Sequence, residues 1–181
     1  MKELSLHILD IVENSINAGA TEVEIQIVED NKQNLMTITI IDNGKGMNEK
    51  MLEKVLDPFF TTRTTRKVGL GLPLFAQAAK MAGGDLKITS KIGLGTKVEA
   101  TFIKNHIDLQ PLGNMAETLV TLCALYPNVD FIYKHLVDDR SFVFDTKEIK
   151  ERLKDVPINN PLVLGFIKDY VESNLKSILE V

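Results

Sequence analysis

The sequence predicts an α/β (α+β) two-layer sandwich: a mixed, mostly antiparallel sheet covered by helices on one face, followed by a small α+β C-terminal region. Three observations carry this. Apolar residues recur at helical spacing ahead of the first strands, the strands come in pairs joined by short polar turns, and the elements up to residue 104 run α-β-β-α-α-β-β. Paired strands between helices suit an antiparallel-rich sheet with helices on one side better than a parallel doubly wound fold.

From Glu3 to about Asn17, Leu4, Ile8, Ile11, Val12 and Ile16 fall on one helical stripe, and "AGA" ends the helix with a glycine suited to a left-handed turn. "EVEIQIVE" and "LMTITII" alternate apolar and polar residues around the turn "DNKQN", so residues 22–41 read as a hairpin. A short helix over Glu49–Leu56 and a longer one over Pro73–Met81, stopped by Gly83-Gly84, separate it from a second hairpin built on "DLKITSKI" and "KVEATFIK". "NHIDLQPLGN" has Pro, Gly and no periodicity. It divides the chain into 1–104, a linker at 105–113 and a C-terminal region at 114–181. That last region reads as a helix over Met115–Leu125, a hairpin over Asp130–Asp145 turning at "DDRS", and helices over Thr146–Lys154 and Pro161–Leu179.

Composition narrows the function classes. Hydrophobic residues at 44% and charged ones at 25% match soluble globular averages. The apolar runs are far shorter than the ~20 residues a membrane span requires, and the N-terminus has acids where a signal peptide is apolar. No membrane association and a cytoplasmic location are expected. The net charge of -4 comes wholly from residues 105–181, and no basic stripe marks a nucleic-acid partner. Cys123 lies in an apolar periodic stretch and reads as a small buried side chain, with no disulfide or thiolate metal site available to it.

The chemistry begins on the first helix. Glu3, His7, Asp10, Asn14 and Asn17 are spaced to share one face. A polar stripe is commonly a solvated face, but asparagine is a poor helix former, and Asn14 sits mid-helix where Glu, Lys or Gln would serve solubility better. The functional alternative has the Asn14 side-chain carbonyl ligate a hard cation such as Mg2+, with Asp10, one turn earlier, orienting a water toward a terminal phosphate.

Two glycine motifs follow. In "TITIIDNGKGM", a strand ends at Asp42, placed to accept from the exocyclic amine of a base; Gly44 and Gly46 let backbone approach a ring, and Met47 supplies an apolar wall. The alternative is a tight turn, for which Asn-Gly is common. In "KVGLGLPL", Gly69, Leu70, Gly71 and Leu72 precede or open a helix whose first N–H groups favour phosphate, the alternative being a flexible loop with a helix start. No Walker lysine motif occurs, and Leu74 stands where a Rossmann loop needs its third glycine. "DPFFTTRTTRKVG" reads as a lid, its Arg63, Arg66 and Lys67 available to phosphates and Phe59 and Phe60 as packing anchors.

Taken together, these motifs resemble the ATP-binding domain of the GHKL superfamily, which groups gyrase, heat-shock chaperones, sensor histidine kinases and mismatch-repair proteins. The resemblance covers about residues 3–104, with four motifs in order. "LDIVENSINAGATEVEI" is similar to the mismatch-repair asparagine box, whereas "DPFFTTR", "GLGLPL" and "GLGTKVEATF" are similar to the histidine-kinase forms. The resemblance implies ATP and Mg2+ as ligands: Asn14 on the metal, Asp42 on adenine, Gly44 and Gly46 shaping the base pocket, Gly69 and Gly71 bordering the phosphates, and Thr96 supporting the adenine contact through water. Two positions depart from it. Asp10 stands where hydrolytic members have glutamate and kinases commonly asparagine, so its reach toward water is shorter. Asn17 stands where kinases often have a base, a charge that Arg63, Arg66 or Lys67 would supply.

His7, His106 and His135 are the only histidines. "HIDLQPL" places His106, Pro111 and Leu112 at the spacing of a kinase acceptor box, but it follows the ATP domain and has Ile107 where the adjacent acid belongs, so it reads as linker. His135 reads as structural, and His7 as a surface residue within reach of Asp10. Three functions fit: phosphoryl transfer to a separate protein, docked or regulated through residues 105–181; a slow ATPase switch; or a nucleotide sensor without chemistry. The first is favoured, its partner protein is unidentified, and the reading leaves room for a homodimer.

Overall fold

The computed structural model describes residues 2–57 and 71–180. Its elements are α1 (Leu4–Asn17), β1 (Glu22–Asp30), β2 (Leu35–Asp42), α2 (Glu49–Lys54), α3 (Gly71–Met81), β3 (Leu86–Lys91), β4 (Gly95–Ile103), α4 (Met115–Leu125), β5 (Asp130–Val137), β6 (Arg140–Asp145), α5 (Thr146–Leu153) and α6 (Pro161–Leu179). The strands form one six-stranded sheet in the order β3-β4-β2-β1-β5-β6. Every neighbouring pair is antiparallel except β1 and β5, which run parallel. A parallel pair needs a long crossover, and here everything from β2 to α4 supplies it. The predicted fold class is the observed one.

Alternation on the strands becomes rows across the sheet. Leu86, Ala100, Ile38, Ile27, His135 and Phe142 share one core-facing row; Ile88, Val98, Ile40, Ile25, Tyr133 and Phe144 share the next. A fully buried aliphatic side chain in such a row stabilises the fold by about 1.5–3 kcal/mol. Helices cover this face: α1 packs on α3, α4 and β2, α4 on α6, and α6 on β5 and β6. One row further along, the composition changes to Ser90, Thr96 and Asp42 beside Val23 and Phe131. Polar residues thus occupy core-facing positions at the end of three adjacent strands.

The helix ends position what lies beside them. Past α1, Gly19 takes φ +84°, the Gly19 N–H donates to the Ile16 carbonyl, and the Ala20 N–H to that of Ser15. This is a Schellman termination. It leaves the Ala18 carbonyl to accept from the Lys45 N–H at 2.9 Å, which fixes the loop after β2 against the helix. At the other end of α1, the Leu4 and Ser5 N–H groups donate to the Pro111 and Leu112 carbonyls. Residues 105–113 therefore form a strap whose Leu109 and Leu112 pack on the core.

Candidate functional site

Asp42, the last residue of β2, is buried and accepts three hydrogen bonds. Its Oδ1 takes the Gly44 N–H at 2.8 Å and the Thr96 N–H at 3.3 Å, and its Oδ2 takes the Ser15 hydroxyl at 2.6 Å. The aspartate is thereby oriented by its own turn, by the neighbouring strand and by α1. Thr96 also places its Oγ1 2.8 Å from Ser90 Oγ, and Ser90 Oγ accepts the Met47 N–H at 2.8 Å. Met47 is half-buried beside this cluster. Gly46 takes φ +72°, and a Cβ there would collide with the Lys91 carbonyl. The backbone can cross the β3–β4 hairpin this closely only without a side chain.

The second part of the site lies where α1 meets the start of α3. A Cβ on Gly71 would collide with Asp10 Oδ2 and sit 3.3 Å from Asn14 Nδ2. The predicted water-orienting acid and metal-binding amide therefore converge on the backbone that opens α3. The first N–H groups of a helix favour anions, and here Gly71, buried and without a side chain, lets the Asp10 carboxylate approach that end. Leu72, half-buried in the first turn, packs against the core. Among the described residues no three His, Cys, Asp or Glu side chains cluster as metal ligands. One carboxamide beside one carboxylate is the sparse oxygen set that Mg2+ uses when phosphates and waters complete its shell. The oxygen and nitrogen of Asn14 can exchange places by a flip of the amide.

Several expectations change. His7 is buried and not a surface residue: its Nε2 lies 3.1 Å from Gln110 Oε1, and its ring stacks on Phe75 with centroids 5.5 Å apart. Burial holds its pKa below the ordinary 6.5, outweighing the Gln110 hydrogen bond and the charge of Asp10. The polar stripe of α1 is thus interrupted, with Asn17 exposed, Asp10 and Asn14 half-buried and His7 facing inward. Arg63, Arg66, Lys67, Gly69 and Leu70, with Phe59, Phe60 and the lid they belong to, lie outside the described residues. Cys123 is buried, and burial pushes its thiol up to about 12, as suits an inert core side chain. A groove of about 530 Å3 runs along the other side of α3 between Leu56 and Met81. None of the predicted base or metal residues lines it.

Ser15 and Ser90 are the site residues that the sequence reading missed. Ser15 follows Asn14 directly, and Ser90 continues the core-facing alternation of β3 that begins with Leu86 and Ile88. A serine at a core-facing strand position next to a motif threonine was the available signal.

The chain is similar to known proteins in sequence and in fold. The family described as histidine kinase-, DNA gyrase B-, and HSP90-like ATPase matches residues 2–106. The chain is 33% identical over 115 residues to the signal transduction histidine-protein kinase AtoS of Escherichia coli, a match covering 63% of this chain and 17% of that protein. It is 34% identical over 110 residues to the sensor protein kinase FleS of Pseudomonas aeruginosa, covering 61% of this chain and 27% of that one. The chain thus spans about a sixth to a quarter of the length of these curated relatives. Among solved structures, the ADP-complexed MutL ATPase domain of Aquifex aeolicus superposes with TM-score 0.51 at 19% identity, over 85% of this chain and 68% of that one. That likeness in fold runs past residue 106, where the family match ends. Among the described residues no helix is long and apolar enough to cross a membrane.

Proposed function

The chain belongs to the histidine kinase-, DNA gyrase B-, and HSP90-like ATPase family, and on that premise we propose that it binds Mg-ATP and transfers the γ-phosphoryl group to a separate protein. Asp42 would accept from the adenine amine, Gly44, Gly46 and Met47 would border the ring, and Thr96 would support the contact through water. Asn14 would hold the Mg2+, whose charge supplies neutralisation of the phosphate oxygens. Gly71, with Gly69, Leu70 and Leu72, would border the phosphates, and Arg63, Arg66 and Lys67 would add charge. Asp10 would orient the attacking group. The bond from the γ-phosphorus to its bridging oxygen breaks, a bond to the partner's nucleophile forms, and ADP leaves.

The observation that carries this reading is that one helix serves both ends of the site. Ser15 of α1 holds the Asp42 carboxylate, while Asp10 and Asn14 of the same helix reach the start of α3. A ligand with a base at one end and a charged tail at the other matches that layout. Residues 1–104 would be the nucleotide-binding unit and 114–181 the docking or regulatory one, in a cytoplasmic protein able to form a homodimer. A second reading, an ATPase switch, draws on the fold likeness to the MutL ATPase domain and on the carboxylate at Asp10.

Incubation of the purified chain with γ-labelled Mg-ATP and its co-purifying proteins separates the readings. Label on a partner protein supports transfer. Free phosphate that disappears in Asp10→Asn, with no protein labelled, replaces transfer with the switch, and tight binding with neither product leaves a sensor.

A further inference from the structure

We propose that Tyr126 is a positioning residue for the Mg2+-binding end of the site: through Glu13 it fixes the roll of α1, and with it the places of Asn14 and Asp10 against the start of α3. This rests on the reading of Asn14 as the metal ligand, and it gives residues beyond 106, where the family match ends, a part in holding the nucleotide. The Tyr126 hydroxyl donates to Glu13 Oε2 at 2.9 Å. Glu13 and Asn14 are neighbours on α1 and so point about 100° apart around its axis. One side chain reaches the end of α4, whose C-cap is Tyr126, while Nδ2 of the other lies 3.3 Å from where a Cβ on Gly71 would stand. Asp10, on the turn before, meets the same Gly71 backbone.

The far end of this tether is held by backbone. The Tyr126 N–H donates to the Leu122 carbonyl at 2.9 Å, and the Tyr126 carbonyl accepts the Val129 N–H at 3.1 Å. Just beyond, the Asp130 N–H donates to the Thr21 carbonyl at 2.9 Å, at the turn that leaves α1. Apolar packing is non-directional and leaves a helix free to roll by small angles, whereas a hydrogen bond is directional. A roll of roughly 10° carries a side-chain atom roughly 6 Å from the helix axis through about 1 Å. Mg2+ requires near-octahedral ligands at about 2.0–2.1 Å, so a displacement of that size weakens a contact to it. Displacement of α4 therefore loosens Mg-ATP, and by reciprocity Mg-ATP holds α4 more firmly. Residues 114–181 regulate the site by this route.

The test is calorimetric titration of the full chain with ATP, once with Mg2+ and once with EDTA, the ratio of the two affinities being the readout. Tyr126→Phe keeps the ring and removes the hydroxyl. The ratio should fall by about fivefold, with affinity in EDTA and the urea midpoint nearly unchanged. Glu13→Ala should give the same loss, and the double variant no more than either alone, because both remove one interaction. Glu13→Gln keeps an acceptor for the hydroxyl and should retain the ratio. An unchanged ratio in Tyr126→Phe, equal losses with Mg2+ and with EDTA, or losses that add in the double variant overturn the proposal. Asn14→Ala separates it from the reading beneath: if that variant keeps the full ratio, the metal assignment itself fails. A reduced ratio in Asn14→Ala beside an unchanged one in Tyr126→Phe removes the tether alone.

Discussion

Two polar clusters interrupt the same apolar face of the same sheet, and they differ in how completely their hydrogen bonds close. At the β3–β4–β2 end, Ser90, Thr96, Asp42 and Ser15 form a chain whose last members keep acceptor positions open. On β1 and β5, Tyr133 Oη lies 2.7 Å from His135 Nδ1, His135 Nε2 lies 2.6 Å from Glu29 Oε2, and Lys104 Nζ lies 3.2 Å from Glu29 Oε1. Both nitrogens of this fully buried histidine are engaged, and the chain of contacts runs on from Lys104, whose Nζ donates to Asn31 Oδ1 at 2.6 Å. Burial raises Glu29, but the hydrogen bond and charge of His135, with Lys104, outweigh it and hold the carboxyl below its ordinary 4.5. A polar residue on a core face is therefore no sign of a site by itself. The cluster around His135 fastens β5 to β1; the cluster around Asp42 is the one proposed to meet a ligand.

The sharpest way to break this comparison is to open the closed cluster. His135→Ala removes a buried ring and strands both Tyr133 and Glu29, so unfolding free energy should fall by about 3–5 kcal/mol. Urea denaturation reads that loss, and ATP affinity of the protein that remains folded should not change. A drop in affinity without a drop in stability would reverse the roles assigned to the clusters. Next in size is Asp42→Ala, expected to weaken ATP binding by about 100-fold while shifting the urea midpoint far less than His135→Ala. Asn14→Ala should be smaller still, about tenfold, and confined to titrations with Mg2+. If the same loss occurs with EDTA present, Asn14 is not acting through a metal.

How far each cluster could be read beforehand differs for physical reasons. Asp42, Gly44 and Gly46 were legible because a strand end followed by spaced glycines is a local pattern. Helices α4 and α6 were legible to the residue because Asn114 and Asn160 cap them, and Pro161 opens the second. Ser15 escaped because the polar stripe steps from Asn14 to Asn17 and leaves it on the inner side. The inward turn of His7 depends on Gln110, 103 residues away, and the parallel pairing of β1 with β5 depends on register across the whole crossover. No window of sequence contains either. Glu29 shows the same limit: it continues the alternation of Ile25 and Ile27, and the groups that hold a carboxylate there, His135 and Lys104, lie far away in sequence.

His7 is the intermediate case, and it gives the smallest effect. One ring nitrogen meets Gln110, but Nδ1 is buried with no hydrogen-bond partner among the described residues, so a proton added there finds no acceptor among them. The unfolded chain takes up that proton near the ordinary 6.5, the folded chain only at lower pH. Between those two values the unfolded state binds more protons, so stability falls as pH falls; above 6.5 neither state is protonated at His7 and its contribution is constant. Glu29, held below 4.5, adds its own loss only as pH falls beneath that value, which leaves the window from about 6.5 to 5 informative for His7. His7→Phe keeps an aromatic ring against Phe75 and removes the titration. Chemical denaturation across that window should show a shallower slope for His7→Phe than for the unaltered chain, by under about 1 kcal/mol in total. Identical slopes would mean that α1 admits water or a new acceptor to Nδ1, and that the helix carrying Asp10 and Asn14 is less closely packed on α3 than its buried face implies.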